Sequence, residues 1–308
     1  MATNLQEANT NVFAEGVLAE KNLEIKTNGK AQIISGTLTI KVSDTDTIAF
    51  RVRQASLKSD GKGGYKDEEN RAYAGLKTVM DEYKSIAEVG EAEADKIKVV
   101  NGQLAPYFSA NSNREVMGYR ATFFNRVTSD KNFEPKAQFD VELFVNSIVP
   151  EVYTNGDKQG EETGRAIIKG WMPTYNGIEP VELIAPKEDG IAEAILGDEA
   201  YQPGITTQFS GNIINRRIEK TTETPMRIGK PKVTTTVSFT NELVITGALA
   251  PYSEDDNVNK PYDKEAIKAA IAEREARNAE AIAKAKSGNN NSAPAQNKPA
   301  SSGRSLPW

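Results

Sequence analysis

The stretch Glu68-Glu69-Asn70-Arg71-Ala72-Tyr73-Ala74-Gly75-Leu76-Lys77-Thr78-Val79-Met80-Asp81-Glu82-Tyr83-Lys84-Ser85-Ile86-Ala87 decides the fold, because it interrupts a run of strands. Ala72, Leu76, Val79, Met80, Tyr83 and Ala87 recur at spacings of three and four, which gathers them on one face and predicts a helix over 68–87. On its N-terminal side, residues 12–26, 31–42 and 47–54 alternate apolar and polar side chains with β-branched and aromatic residues, the pattern of half-buried strands. The first of these is expected to bend at Gly16 or Ala19. A loop rich in glycine and lysine, 58–66, separates them from the helix. Two more strands follow, at 96–108 and 115–127.

The second half repeats that order. Strands are predicted over 137–153, 164–172 and 177–185, with a polar loop at 154–163. A short helix over 189–199 then precedes strands at 206–219 and 232–251, which a polar loop at 220–230 joins. Five strands with a helix between the third and fourth is the order of an OB-fold, a small Greek-key barrel that binds oligonucleotides and oligosaccharides. The expected fold class is therefore mainly β. It comprises two tandem OB-fold-like five-stranded barrels, each with that helix, then a C-terminal helix and a disordered tail. Boundaries fall at 1–135 for the first OB-like domain and 136–260 for the second, with the helix at 261–286 and the tail at 287–308. Asp263 is placed to cap the C-terminal helix, and Glu265…Lys268 and Glu273…Arg277 supply pairs along it. The tail up to Arg304 is mostly Ser, Gly, Asn, Ala, Pro and Gln, a composition that buries no core.

Composition narrows the chemistry. The 308 residues include no cysteine and no histidine, which removes thiol nucleophiles, histidine bases, Cys/His metal sites and disulfides. No apolar run approaches the roughly 18 residues of a membrane span, and the first residues lack the basic and apolar regions of a signal peptide. A non-enzymatic, cofactor-free protein of the cytoplasm, without membrane contact, is expected. The formal net charge of −5 argues against bulk adhesion to nucleic acid, so the placement of the cations decides.

Residues two apart on a strand project together. Arg120 and Arg126 bracket Phe124 on one predicted face, with Tyr119, Ala121 and Phe123 on the other as core. Arg165, Lys169 and Trp171 share a face of 164–172, and Arg51 and Arg53 share one of 47–54. Cations that track phosphates beside flat rings that stack on bases are what a sequence-tolerant single-strand binder needs. The 58–66 loop adds Lys62 and Tyr65, and Tyr107 is a further ring. Arg216 and Arg217 open the strongest basic stretch, which runs to Lys232. The expected DNA contacts are thus Arg51, Arg53, Lys62, Tyr65, Tyr107, Arg120, Phe124, Arg126, Arg165, Lys169, Trp171, Arg216 and Arg217. An enzymatic alternative is a Mg-dependent nuclease using Asp140 and Glu142, two apart on one strand face. A structural alternative is a β-rich phage virion or tail protein.

The tail closes on Leu306-Pro307-Trp308. Two barrel-like halves, a Gly/Asn/Pro/Gln-rich tail and this apolar tip together resemble the single-stranded-DNA-binding proteins (SSB) of replication, whose bacterial members end in Asp-Leu-Pro-Phe or Ile-Pro-Phe. Ser302-Gly303-Arg304-Ser305 supplies none of the acids that precede that ending, so the likeness is to a phage-type or divergent member. The resemblance implies binding and protection of single-stranded DNA in replication, recombination and repair, in a bacterial or phage-infected cell. It also implies that Leu306, Pro307 and Trp308 recruit replication or recombination proteins.

Overall fold

The computed structural model describes residues 5–129, 131, 133–255 and 259–289. The first three strands are β1 (Thr10–Asn28), β2 (Ala31–Lys41) and β3 (Thr47–Ala55). Their alternation turns Val12, Ala14 and Leu18, then Ile34, Leu38 and Ile40, then Ile48, Phe50 and Val52 into the core. Each such Leu, Ile or Phe contributes about 1.5–3 kcal/mol by leaving water. β1 bends at Ala19, where a bulge shifts its register against β2 between Leu18 and Glu20. Gly16 lies where a Cβ would meet the Lys41 carbonyl at 2.2 Å, so only glycine permits that approach.

The glycine-rich segment is a hairpin rather than an open loop: β4 (Leu57–Ser59) pairs with β5 (Tyr65–Glu69). Asp60 closes its tip by accepting the N–H groups of Lys62 and Gly64 at 2.7 and 2.8 Å. The predicted helix is two helices, α1 (Arg71–Glu82) and α2 (Ile86–Val89). Asn70 caps the first, and a capping box of Ser85 and Glu88 restarts the chain after a break at Tyr83. The two predicted strands after it are likewise broken. They become β6 (Lys96–Val100), β7 (Gly102–Leu104), β8 (Tyr107–Ser109), β9 (Arg114–Val116), β10 (Tyr119–Arg120) and β11 (Phe123–Arg126).

The second half has longer strands: β12 (Lys136–Val152), β13 (Glu162–Thr174), β14 (Gly177–Ala185), β15 (Thr206–Thr224) and β16 (Lys232–Ala248), with α3 (Ile191–Gly197) between β14 and β15. The first part of the predicted 220–230 loop is ladder, because Thr221 and Thr222 pair with Thr235 and Thr234 and extend the hairpin outward as far as Thr224.

The pairings form two closed cycles, β1-β2-β3-β10-β7 and β12-β13-β14-β16-β15, each returning to its first strand. Each holds one parallel contact, β3 with β10 and β14 with β16. An antiparallel ladder of β1 with β12, from Thr10↔Val141 to Glu15↔Lys136, merges both cycles into one 12-stranded sheet. A single buried cluster runs from Leu18, Phe50 and Phe124 to Phe139, Leu143 and Phe209.

Helix α4 (Lys264–Asn289) is capped by Asp263, which accepts the Ala266 N–H at 2.7 Å. Ile267 and Ala270 bury with Ile178 and Tyr262, and Phe144 and Trp171 pack beside them. Arg274, only 5% exposed, reaches Glu179 and Glu115 at 2.7 Å, tying the helix to both halves. Among the described residues no helix is long and apolar enough to cross a membrane.

Candidate nucleic-acid interface

Phe50 and Val52 point inward, so Arg51 and Arg53 point out of β3. The parallel pairing sets Arg120 of β10 opposite Arg51. Beyond Arg120, β7 contributes Gln103. These three arginines, with Thr37, Gln54, Asn101, Gln103 and Thr122, line a groove of ≈ 590 Å³ that no carboxylate lines among the described residues. Neither Arg53 nor Arg120 pairs with an acid among the described residues.

Arg51 is held in place. Its guanidinium lies 4.0 Å from the centroid of the Tyr107 ring, and Nη2 donates to the Ala105 carbonyl at 3.3 Å. Gly118 makes room for it, since a Cβ there would lie 2.6 Å from that nitrogen. Tyr107 stays 38% exposed, so an aromatic surface adjoins the cations.

The other expected contacts fall elsewhere. Phe124 is buried, edge-on to Phe50 with ring centroids 6.1 Å apart, and it belongs to the core rather than to an open face. The predicted parity fails because Ala121 and Thr122 leave the ladder between β10, which pairs with β7, and β11, which pairs with β6. Core positions thus run Tyr119, Ala121, Phe124. Arg126 sits over the Tyr83 ring at 4.4 Å and pairs with Asp95 at 2.9 Å, bracing the helices. Lys62 and Tyr65 lie on the β4–β5 hairpin and do not line the groove; the Tyr65 hydroxyl meets Asn28 Nδ2 at 3.5 Å.

In the second half the cations are matched by carboxylates. Arg165 stands between Glu151 at 3.3 Å and Glu242 at 3.0 Å, and Lys169 faces Glu182 at 3.5 Å. Trp171 is half-buried between Phe144 and Pro180 on the neighbouring strands, and packs against the α4 cluster. Arg216 pairs with Asp46 at 3.3 Å, which anchors the β15–β16 hairpin to the first half, and Arg217 pairs with Glu219. Leu306, Pro307 and Trp308 lie outside the described residues.

The oxygens of the acid pair are engaged as well. Asp140 accepts from Ser210 at 2.6 Å, and Glu142 accepts from Tyr252 at 3.3 Å and from Tyr262. Burial, the Glu142 hydrogen bond and its charge push the Tyr262 hydroxyl far up, so it acts as a donor. Among the described residues no cluster of three or more potential metal ligands occurs.

Sequence reasoning missed Gln54, Asn101 and Gln103. Only Asn101 carried a signal, an Asn-Gly pair at a strand break, and it adopts a positive φ of 55°.

Residues 9–288 match the YorF family model. No curated protein matches the sequence. Among solved structures, a deletion mutant of the single-stranded DNA binding protein from Thermus aquaticus aligns at 13% identity with a TM-score of 0.46, over 83% of this chain and 98% of that one. A Replication Protein A heterotrimer bound to ssDNA aligns at 9% identity with a TM-score of 0.20, over 89% of this chain and 53% of that one. Both scores are too low to establish a shared fold, so the groove carries the functional reading.

Proposed function

The chain belongs to the YorF family, and from the geometry of its groove we propose that it binds single-stranded DNA without sequence preference. The observation that carries this is the convergence of Arg51, Arg53 and Arg120 on one carboxylate-free groove, in a protein whose net charge is −5. Phosphates pair with the arginines, and amide side chains at Gln54, Asn101 and Gln103 offer bonds to sugars and base edges without a fixed code. Tyr107 supplies a face for stacking.

In this reading the two closed strand cycles are tandem OB barrels, with residues 1–135 and 136–260 as domains, and the first is the principal DNA site. Lys62 and Tyr65 serve as outlying contacts on the β4–β5 hairpin. The protein coats DNA during replication or recombination in a bacterial or phage-infected cell, without catalysis. Leu306-Pro307-Trp308 recruits protein partners, a role supported by an apolar tip after a polar segment.

Titrating labelled poly-dT across a salt series tests the proposal. Affinity is expected to fall linearly on a log–log plot, by a slope of about 0.7 for each neutralised phosphate. Lack of binding at low salt, or binding with no slope, overturns it.

A further inference from the structure

Tyr175 is 86% exposed at the tip of the β13–β14 hairpin, where Thr174 and Gly177 pair and leave Tyr175 and Asn176 as a two-residue turn. Such turns favour Asn, Asp and Gly; an aromatic there serves neither turn geometry nor core. The turn is nonetheless braced. Arg277 of α4 donates from Nη1 to the Asn176 carbonyl at 2.6 Å, while the buried Arg274 fixes the helix one turn earlier.

Tyr175 lines a cleft of ≈ 260 Å³ that also contains Tyr107, Gln103 and Arg120. Gln103 and Arg120 line the arginine groove as well, so groove and cleft form one continuous surface crossing from the first half to the second. Resting on the function proposed above, we infer that the DNA path leaves the groove over Arg120, passes Tyr107 and ends with a base stacked on Tyr175. The cleft also carries the carboxylates of Glu7 and Glu179, the second paired with Arg274. Its contribution is therefore the rings and not added positive charge. Helix α4 acts as a positioning element that holds the second ring in line.

The test compares oligo-dT of about 6 nucleotides, within the roughly 4–16 that a single groove holds, and about 24, which exceeds it. Tyr175→Ala is expected to weaken the long oligonucleotide ~5- to ~100-fold, leave the short one within about twofold, and leave the salt slope unchanged. Tyr175→Phe retains wild-type binding. Arg277→Ala, which frees the turn, falls between wild type and Tyr175→Ala on the long oligonucleotide. If the wild type binds both lengths and Tyr175→Ala matches it, the path is overturned while the groove stands. Equal loss at both lengths, or a reduced salt slope, also overturns it. If the wild type binds neither length, the groove itself fails.

Discussion

Arg51 stacks its guanidinium on the ring of Tyr107, 4.0 Å from the centroid, joining a cation of β3 to an aromatic of β8. The stacking holds the planar guanidinium in place, so the arginine loses little further entropy on binding. At an exposed site it contributes about 0.5–1 kcal/mol.

Arg120 should contribute one phosphate contact. Arg120→Ala is expected to lower the log–log salt slope of poly-dT binding by about 0.7. Arg126→Ala and Arg165→Ala should leave the slope unchanged, because Asp95 and the Glu151/Glu242 pair already engage those guanidiniums. Fluorescence titration at several salt concentrations separates the cases.

Gly118→Ala should weaken DNA binding although it removes no contacting side chain. Its new methyl would lie 2.6 Å from Arg51 Nη2 and 2.7 Å from the Ala105 carbonyl, displacing Arg51 from Tyr107. The same titration checks it, with Arg51→Ala as the reference for complete loss of that cation.

Phe124→Ala and Tyr107→Ala should separate stability from affinity. The first opens a cavity beside Phe50 and is expected to cost about 3–5 kcal/mol in urea unfolding. The second should change stability little and reduce DNA affinity by about 1–3 kcal/mol.

Arg274→Met leaves the half-buried Glu179 beside α4 without its partner and is expected to cost up to about 3 kcal/mol. Burial already pushes the Glu179 carboxyl up, even with Arg274 beside it. Adding Glu179→Leu should recover much of the loss, and thermal unfolding of the single and double variants measures the difference.

Burial raises the Asp46 carboxyl, but hydrogen bonds from Ser43 at 2.8 Å and Thr45 at 2.9 Å, with the Arg216 charge, hold it below the ordinary aspartate value. A folded value below the unfolded one gives stability that is full above about pH 4 and is lost as pH falls through the folded value. Asp46→Asn should lack this acid-side loss. Urea unfolding between pH 3 and 7 should show the two proteins differing by a constant amount near neutrality and converging in acid.

Strand order and helix placement were legible because alternation and three-four spacing are local properties of the chain. The helix at 71–82 follows from apolar spacing, while the strand pattern left the bend of β1 open between Gly16 and Ala19, and the bulge falls at Ala19. The break at Tyr83 was less visible, since the apolar stripe continues to Ala87 across the Ser85 cap. The face of Phe124 was not legible, because the ladder breaks between β10 and β11, which pair with different strands, and the alternation does not carry across the break.

The sequence by itself determined the long strands of both halves, the approximate places of the helices and that chemistry based on histidine or cysteine is absent, since these depend on neighbouring residues or on residue type alone. Only the tertiary structure decided which cations are free. Arg120 and Arg165 look alike in their strands, yet one enters a groove without acids and the other lies between two glutamates. A charge's availability depends on what strands distant in sequence bring beside it, and no local pattern encodes that. The closure of β10 against β3 and β7, and the docking of α4 against Glu115 and Glu179, set those neighbours.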